Sequence, residues 1–236
     1  MKTSIFKLSA LSALIAFPLS ALAAEDISYS YIELDYVIQD IDLYEDDEAF
    51  SDVTEDADDG DGYNLAVSFG VTESVFLFGS YSQTTADYTF VNDEGTFIPE
   101  DQDIKTLNIG LGFHAPLSTT TDFVARAAYM DVDYGEFSFG QVDNDVADDD
   151  ETVDDAFDDL NEDTSDGYMI DLGVRSQVAY WLELGGGLRY TDVDSGDDIA
   201  AFGSALFEIT PNMGINLDAS FGDNLSTYQL GFRYSM

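Results

Sequence analysis

There is no cysteine in the 236 residues, and basic side chains are nearly as scarce, with seven Lys and Arg against 49 Asp and Glu. The first absence rules out a disulfide framework, so an exported chain of this size must draw its stability from another source. The second gives a formal net charge of −42, and such a surface repels nucleic acid and attracts cations. Nucleic acid is thereby excluded as a partner. A single histidine, His114, with no cysteine beside it cannot assemble a zinc cluster. Long hydrophobic runs are also missing. Beyond residue 24 no apolar stretch approaches the roughly 20 residues that a membrane-spanning helix needs. A membrane form of this chain must therefore cross with strands, closed on themselves so that every backbone donor and acceptor is paired.

The N-terminus supplies the compartment. Lys2 and Lys7 precede a mostly apolar stretch from Leu8 to Leu22, broken at Pro18, and Ala21-Leu22-Ala23 forms a small-x-small cleavage site. Residues 1–23 are expected to be a signal peptide and residues 24–236 a single domain. An uncleaved N-terminal anchor fits less well, because the apolar stretch is short and the chain turns polar after Ala23. Removing Lys2 and Lys7, and no acidic residue, takes the mature charge to about −44.

The remainder alternates apolar with small or polar residues at the period of a strand. The last run is the cleanest: Tyr228, Leu230, Phe232, Tyr234 and Met236 share one face, and Gln229, Gly231, Arg233 and Ser235 the other. Ten such runs are counted, the first near Ser28 to Ile38. Short links are expected at Thr72–Ser74, Ala115–Thr121, Gln177–Tyr180 and Thr210–Asn212, and long ones at about 39–61, 84–103 and 134–166. The expected architecture is all-β: a ten-stranded, antiparallel, up-and-down transmembrane barrel with short periplasmic turns and long acidic extracellular loops. Outward aromatics support it, with Tyr36, Tyr81, Tyr129, Tyr168, Tyr190 and Tyr228 near one end. Phe113, Phe123, Tyr180, Trp181, Phe207 and Tyr234 lie near the other, as in the two girdles of a lipid-facing barrel.

On the opposite phase the charges collect. Glu33, Asp35, Arg126, Asp171, Arg175, Glu183, Arg189, Asp218 and Arg233 are all expected to face the lumen, where opposite charges can pair. A guanidinium facing lipid would instead cost about 2–4 kcal/mol at mid-membrane. An ion-pair network that packs the lumen is favoured over a charge-lined conducting path, since small barrels are filled.

The densest runs of carboxylates lie in two loops, around Asp40–Asp61 and Asp148–Asp159. Oxygen-rich clusters suit calcium or magnesium, with Asp56, Asp58, Asp59 and Asp61 as weak candidates. The twelve-residue calcium loop is not matched, because the glycine of Asp56-Ala57-Asp58-Asp59-Gly60-Asp61 arrives one position early. Solvated loops are the plainer reading; low-specificity bridging to lipopolysaccharide phosphates is the sharper one. No cofactor is implied. Catalysis is not expected either: there is no G-x-S-x-G elbow, and His114 is placed at the periplasmic end of the fourth strand.

Several stretches resemble small OmpA/OmpX-like outer-membrane barrels, and in particular the subfamily associated with diffusible-signal-factor regulation. They are Ile27–Glu33, Asp59–Tyr63, Val75–Ser82, Gly110–His114 and Leu230–Tyr234. The resemblance implies a barrel at the bacterial outer membrane, in contact with its lipid and lipopolysaccharide, without an assigned activity. It also implies a C-terminal assembly signal read by the barrel-assembly machinery. Gln229, Gly231, Tyr234 and Met236 match its polar-x-Gly-x-x-aromatic-x-hydrophobic pattern, with Met in place of the usual terminal aromatic. The leading functional expectation is a non-enzymatic surface barrel. A narrow cation-preferring pore and a periplasmic barrel for an apolar ligand are the alternatives.

Overall fold

A computed structural model describes residues 27–41, 60–91, 97–135, 163–194, 196–223 and 225–236. Ten strands follow in order: β1 Tyr31–Ile41, β2 Gly60–Gly70, β3 Val75–Val91, β4 Phe97–Pro116 and β5 Thr121–Tyr134. β6 Asp163–Ala179, β7 Leu182–Val193, β8 Gly196–Thr210, β9 Met213–Phe221 and β10 Leu225–Ser235 complete them. Each pairs antiparallel with its neighbours in sequence, and β1 pairs with β10 from Tyr31↔Ser235 to Ile41↔Leu225, which closes the barrel. Closure removes both sheet edges, the liability that any open sheet of this length would carry.

The alternation sets the faces. Along β2 the pattern is regular, with Asn64 and Ser68 buried while Tyr63, Leu65, Val67 and Phe69 are exposed. Outward apolar side chains such as Ile109, Leu111, Leu230 and Phe232 are more than half exposed, an arrangement that makes sense only if a second apolar phase covers them. Exposed aromatics form two bands. Tyr36, Tyr63, Tyr129, Tyr168 and Tyr228 lie toward the end bearing the long connections, and Phe113, Trp181, Phe207 and Tyr234 toward the end bearing the short ones.

The short connections are 71–74, 117–120, 180–181 and 211–212, and they define what is here termed the turn end. One of these and one long connection differ from sequence expectation. β6 continues through Gln177 to Ala179 with a register shift, so the turn is Tyr180–Trp181 rather than Gln177–Tyr180. The expected long loop at 84–103 is largely a ribbon, since β3 and β4 stay paired from Thr84↔Ile104 out to Val91↔Phe97. Backbone pairing needs no apolar face, so the sheet runs on where the alternation fades.

Candidate functional site in the barrel lumen

The inward phase of the strands builds two layers. At the turn end, residues 27–30 precede β1 and are tied into the barrel wall. Arg175 Nη1 donates to the Ser28 carbonyl at 3.2 Å, Ser68 Oγ to the Tyr29 carbonyl at 2.7 Å, and the Gly70 amide to Ser30 Oγ at 2.9 Å. Met236 donates its amide to the Ser30 carbonyl at 2.9 Å, which ties the end of β10 to the segment before β1.

That tether aims Tyr29 into the lumen. Its ring is 7% exposed and lies in the buried apolar cluster with Phe76 and Val124, flanked by Ile27 and Phe78. It stacks on Phe76 at 4.9 Å and on His114 at 3.8 Å between centroids, with the Arg175 guanidinium 4.7 Å from its centroid. The phenol donates to Asp122 Oδ2 at 2.9 Å, and His114 Nδ1 meets the same oxygen at 3.1 Å. Burial pushes the phenol's ionisation well above its usual value, so it remains a donor. Gly112, opposite Phe76 in the register, makes room for this layer: a Cβ there would run into the Phe76 ring.

Above it lies the charged layer, and the register explains its pairs. Asp171 on β6 sits directly across from Arg126 on β5 and Arg189 on β7. It accepts from Arg126 Nη2 at 2.6 Å and from Arg189 Nε and Nη2 at 2.8 and 3.1 Å, with 2% of its surface exposed. Glu33 and Arg233 are register partners across the closing seam and are hydrogen-bonded. Arg175 and Glu183 meet diagonally, Nε to Oε1 at 2.7 Å and Nη2 to Oε2 at 3.0 Å, the bidentate geometry that makes such pairs strong.

Asp35 and Asp218 are served differently. Among the described residues neither lies within ion-pair distance of a guanidinium; amides reach them instead. Asn64 Nδ2 donates to Asp35 at 2.9 Å, and Asn216 Nδ2 donates to Asp35 at 2.7 Å and to Asp218 at 3.0 Å. Gly231, the register partner of Asp35, lets its carboxylate close against the strand backbone.

The heights of these groups follow from the pairing. From Asp35 the register leads through Gly231, Asn216, Leu206 and Glu183 to Gln177 on β6 in one direction. In the other it leads through Asn64, Ser82, Thr106 and Val132 to Ser165. The two end points are twelve residues apart on one strand, the stagger that strand tilt imposes on a closed barrel. Midway between them is Asp171. The Asp35 wall and the Asp171 wall therefore face each other at one height. Between them runs a cavity of about 400 Å³, bounded by Tyr29 at the turn end and reaching Asp198, Leu225 and Thr227 toward the other.

The structure thus brings together in the lumen all nine charged residues that the sequence places on the inward phase. The weak metal candidates fare differently. Asp56, Asp58 and Asp59 lie outside the described residues. Asp61 is an exposed β2 residue that accepts the Tyr36 hydroxyl at 2.9 Å. Among the described residues no group of three or more His, Asp or Glu could hold a metal. Gln229 and Gly231 face the lumen, whereas Tyr234 and Met236 are half exposed or more on the outer face. Tyr29 and Asp122 were not expected at the site. Tyr29 shares the phase of Glu33 and Asp35, and Asp122 that of Arg126, which gives each a face but not a partner.

Residues 9–235 match the outer membrane protein beta-barrel domain family. The chain belongs to that family. The bacterial outer membrane is its location, as the family indicates. The translocator domain of the autotransporter NalP from Neisseria meningitidis is similar at TM-score 0.51 and 9% identity, over 99% of this chain and 98% of that one. The beta domain of the Bordetella autotransporter BrkA also gives 0.51, at 12% identity, over 89% and 100%. The outer membrane protein OprG from Pseudomonas aeruginosa gives 0.45 at 9% identity, over 92% and 99%. At such identities the likeness speaks to the barrel fold alone. No curated protein matches the sequence.

Proposed function

We propose that this outer-membrane barrel is a non-enzymatic surface protein whose lumen is closed to ion flow at the turn end, which faces the periplasm. One observation carries the reading: Tyr29 is held across the lumen by Phe76 of β3, His114 of β4 and Asp122 of β5. A layer of interlocked aromatic rings leaves no hydrated path, and an ion stripped of water there would face a steep barrier. Recording from the refolded protein in planar bilayers is the test. The expected trace is flat; discrete steady conductance from the unaltered protein would sink the proposal.

A cation-preferring pore is the second reading, favoured by the cavity above Tyr29. It predicts conductance that appears in the unaltered protein and saturates with cation rather than anion activity. The third expectation, an apolar-ligand barrel in the periplasm, loses support from the charged lumen and the family's location.

Four further parts of the proposal rest on sequence. Residues 1–23 are removed on export, which mass spectrometry of the outer-membrane form would refute by finding Lys2. Gln229, Gly231, Tyr234 and Met236 recruit the assembly machinery, so Tyr234→Ala should lower the amount of heat-modifiable barrel in the membrane fraction. The acidic loops bridge calcium or magnesium to lipopolysaccharide, an idea that fails if calorimetry shows no heat at millimolar calcium. The likeness to the diffusible-signal-factor subfamily adds a regulatory context that transcript measurements with and without such a signal would test.

A further inference from the structure

The two facing walls of the lumen cavity carry opposite unspent charge. On one wall a single carboxylate, Asp171, neutralises two guanidiniums, and the Arg126 and Arg189 side chains keep 25% and 31% of their surface open. On the other, Asp35 and Asp218 share one amide nitrogen, and the nearest seam arginine, Arg233, is committed to Glu33. The same amide has an orphan. Asn216, 1% exposed and lining the cavity, has its Oδ1 buried without a hydrogen-bond partner. A buried acceptor left without a donor loses its hydration with nothing in return, which folded proteins rarely tolerate.

We propose that the lumen binds a small zwitterion carrying an ammonium at one end and a carboxylate at the other. The ammonium sits against Asp218 and Asn216 Oδ1, which line the cavity, with the buried Asp35 carboxylate behind them holding the Asn216 amide in place; the carboxylate takes the open N–H groups of Arg126 and Arg189. Each wall alone would attract a simple ion, but only a molecule bearing both charges satisfies both walls at one height. The cavity volume of about 400 Å³ lies at the small end of ligand pockets, about 300–1,000 Å³. The site stands apart from the Tyr29 closure, so conduction and binding can fail separately.

Calorimetry on the refolded protein tests it, with glycine, β-alanine, 4-aminobutyrate and 6-aminohexanoate as probes and ethylammonium and acetate as single-charge controls. One spacer length is expected to bind saturably and about tenfold more tightly than either control. Asp218→Asn is expected to weaken that probe by about tenfold, while Lys105→Gln, remote at the loop end, leaves it unchanged. The proposal is overturned if no amino acid saturates at roughly 10 mM, if ethylammonium binds as well as the best of them, or if a folded Asp218→Asn binds normally. Should that variant fail to fold, the probe series on the unaltered protein decides alone.

Discussion

The base of the lumen and its middle solve the same problem in different chemistry. Both must fill a closed barrel with inward side chains. The base does so with rings, Tyr29 between Phe76 and His114, in the one apolar cluster among the described residues. The middle does so with ion pairs that leave a cavity between them. Apolar packing is non-directional and closes space, whereas a bidentate pair fixes two side chains along a wall and leaves the axis free. Arg175 connects the two layers, with its face on Tyr29 and its N–H groups on Glu183. A sealed floor under a polar chamber follows from that division.

The largest test of the contrast is Phe76→Ala. It removes the ring on which Tyr29 stacks and should cost about 3–5 kcal/mol, measured by urea unfolding in lipid vesicles with the lone Trp181 as reporter. An unchanged midpoint would mean that the base is not a core at all. Asp171→Ala comes next. It strands two guanidiniums, and breaking a buried pair costs about 3–5 kcal/mol. Because both arginines keep some lumen exposure, about 3 kcal/mol is expected. A loss well above that of Phe76→Ala would reverse the ranking and make the charged layer the principal stabiliser.

What the sequence disclosed differs between the layers for a physical reason. Inward charges such as Arg126, Asp171 and Arg189 are visible because period-two alternation assigns a face to every strand residue, and lipid forbids the other. Which carboxylate serves which arginine was not visible. It depends on register, and Asp171 meets Arg189 only because Leu172 pairs with Leu188 beside them. The floor was hidden more deeply. Tyr29 lies outside the strands, and its hydrogen bond to Asp122 spans 93 residues, a contact to which no local pattern points. The β3–β4 ribbon was missed for the opposite reason. Thr84 to Val91 keep their register with Phe97 to Ile104 through a stretch in which Asp87, Asp93, Glu94, Pro99, Glu100 and Asp101 read as loop residues.

Gly112→Ala sharpens the comparison at lower amplitude. Its added Cβ would strike the Phe76 ring, and overpacking of this kind costs about 1–3 kcal/mol. The displaced ring also presses on Tyr29, so a small bilayer conductance should accompany the lower urea midpoint. Destabilisation without any current would separate the packing of the floor from its sealing.

The smallest effect is expected from Thr121→Val, at the turn end but outside the aromatic cluster. Thr121 Oγ1 and Ser176 Oγ are 2.8 Å apart and buried, a neutral pair between β5 and β6. Valine keeps the shape and removes one partner, so about 1 kcal/mol should be lost, read as a shift of the urea midpoint at constant slope. Nothing in the floor moves, and the bilayer trace should remain flat. If this variant were to conduct, closure would depend on the whole turn end holding its register rather than on the Tyr29 stack. The distinction between a packed floor and a charged chamber would then give way to one rigid wall.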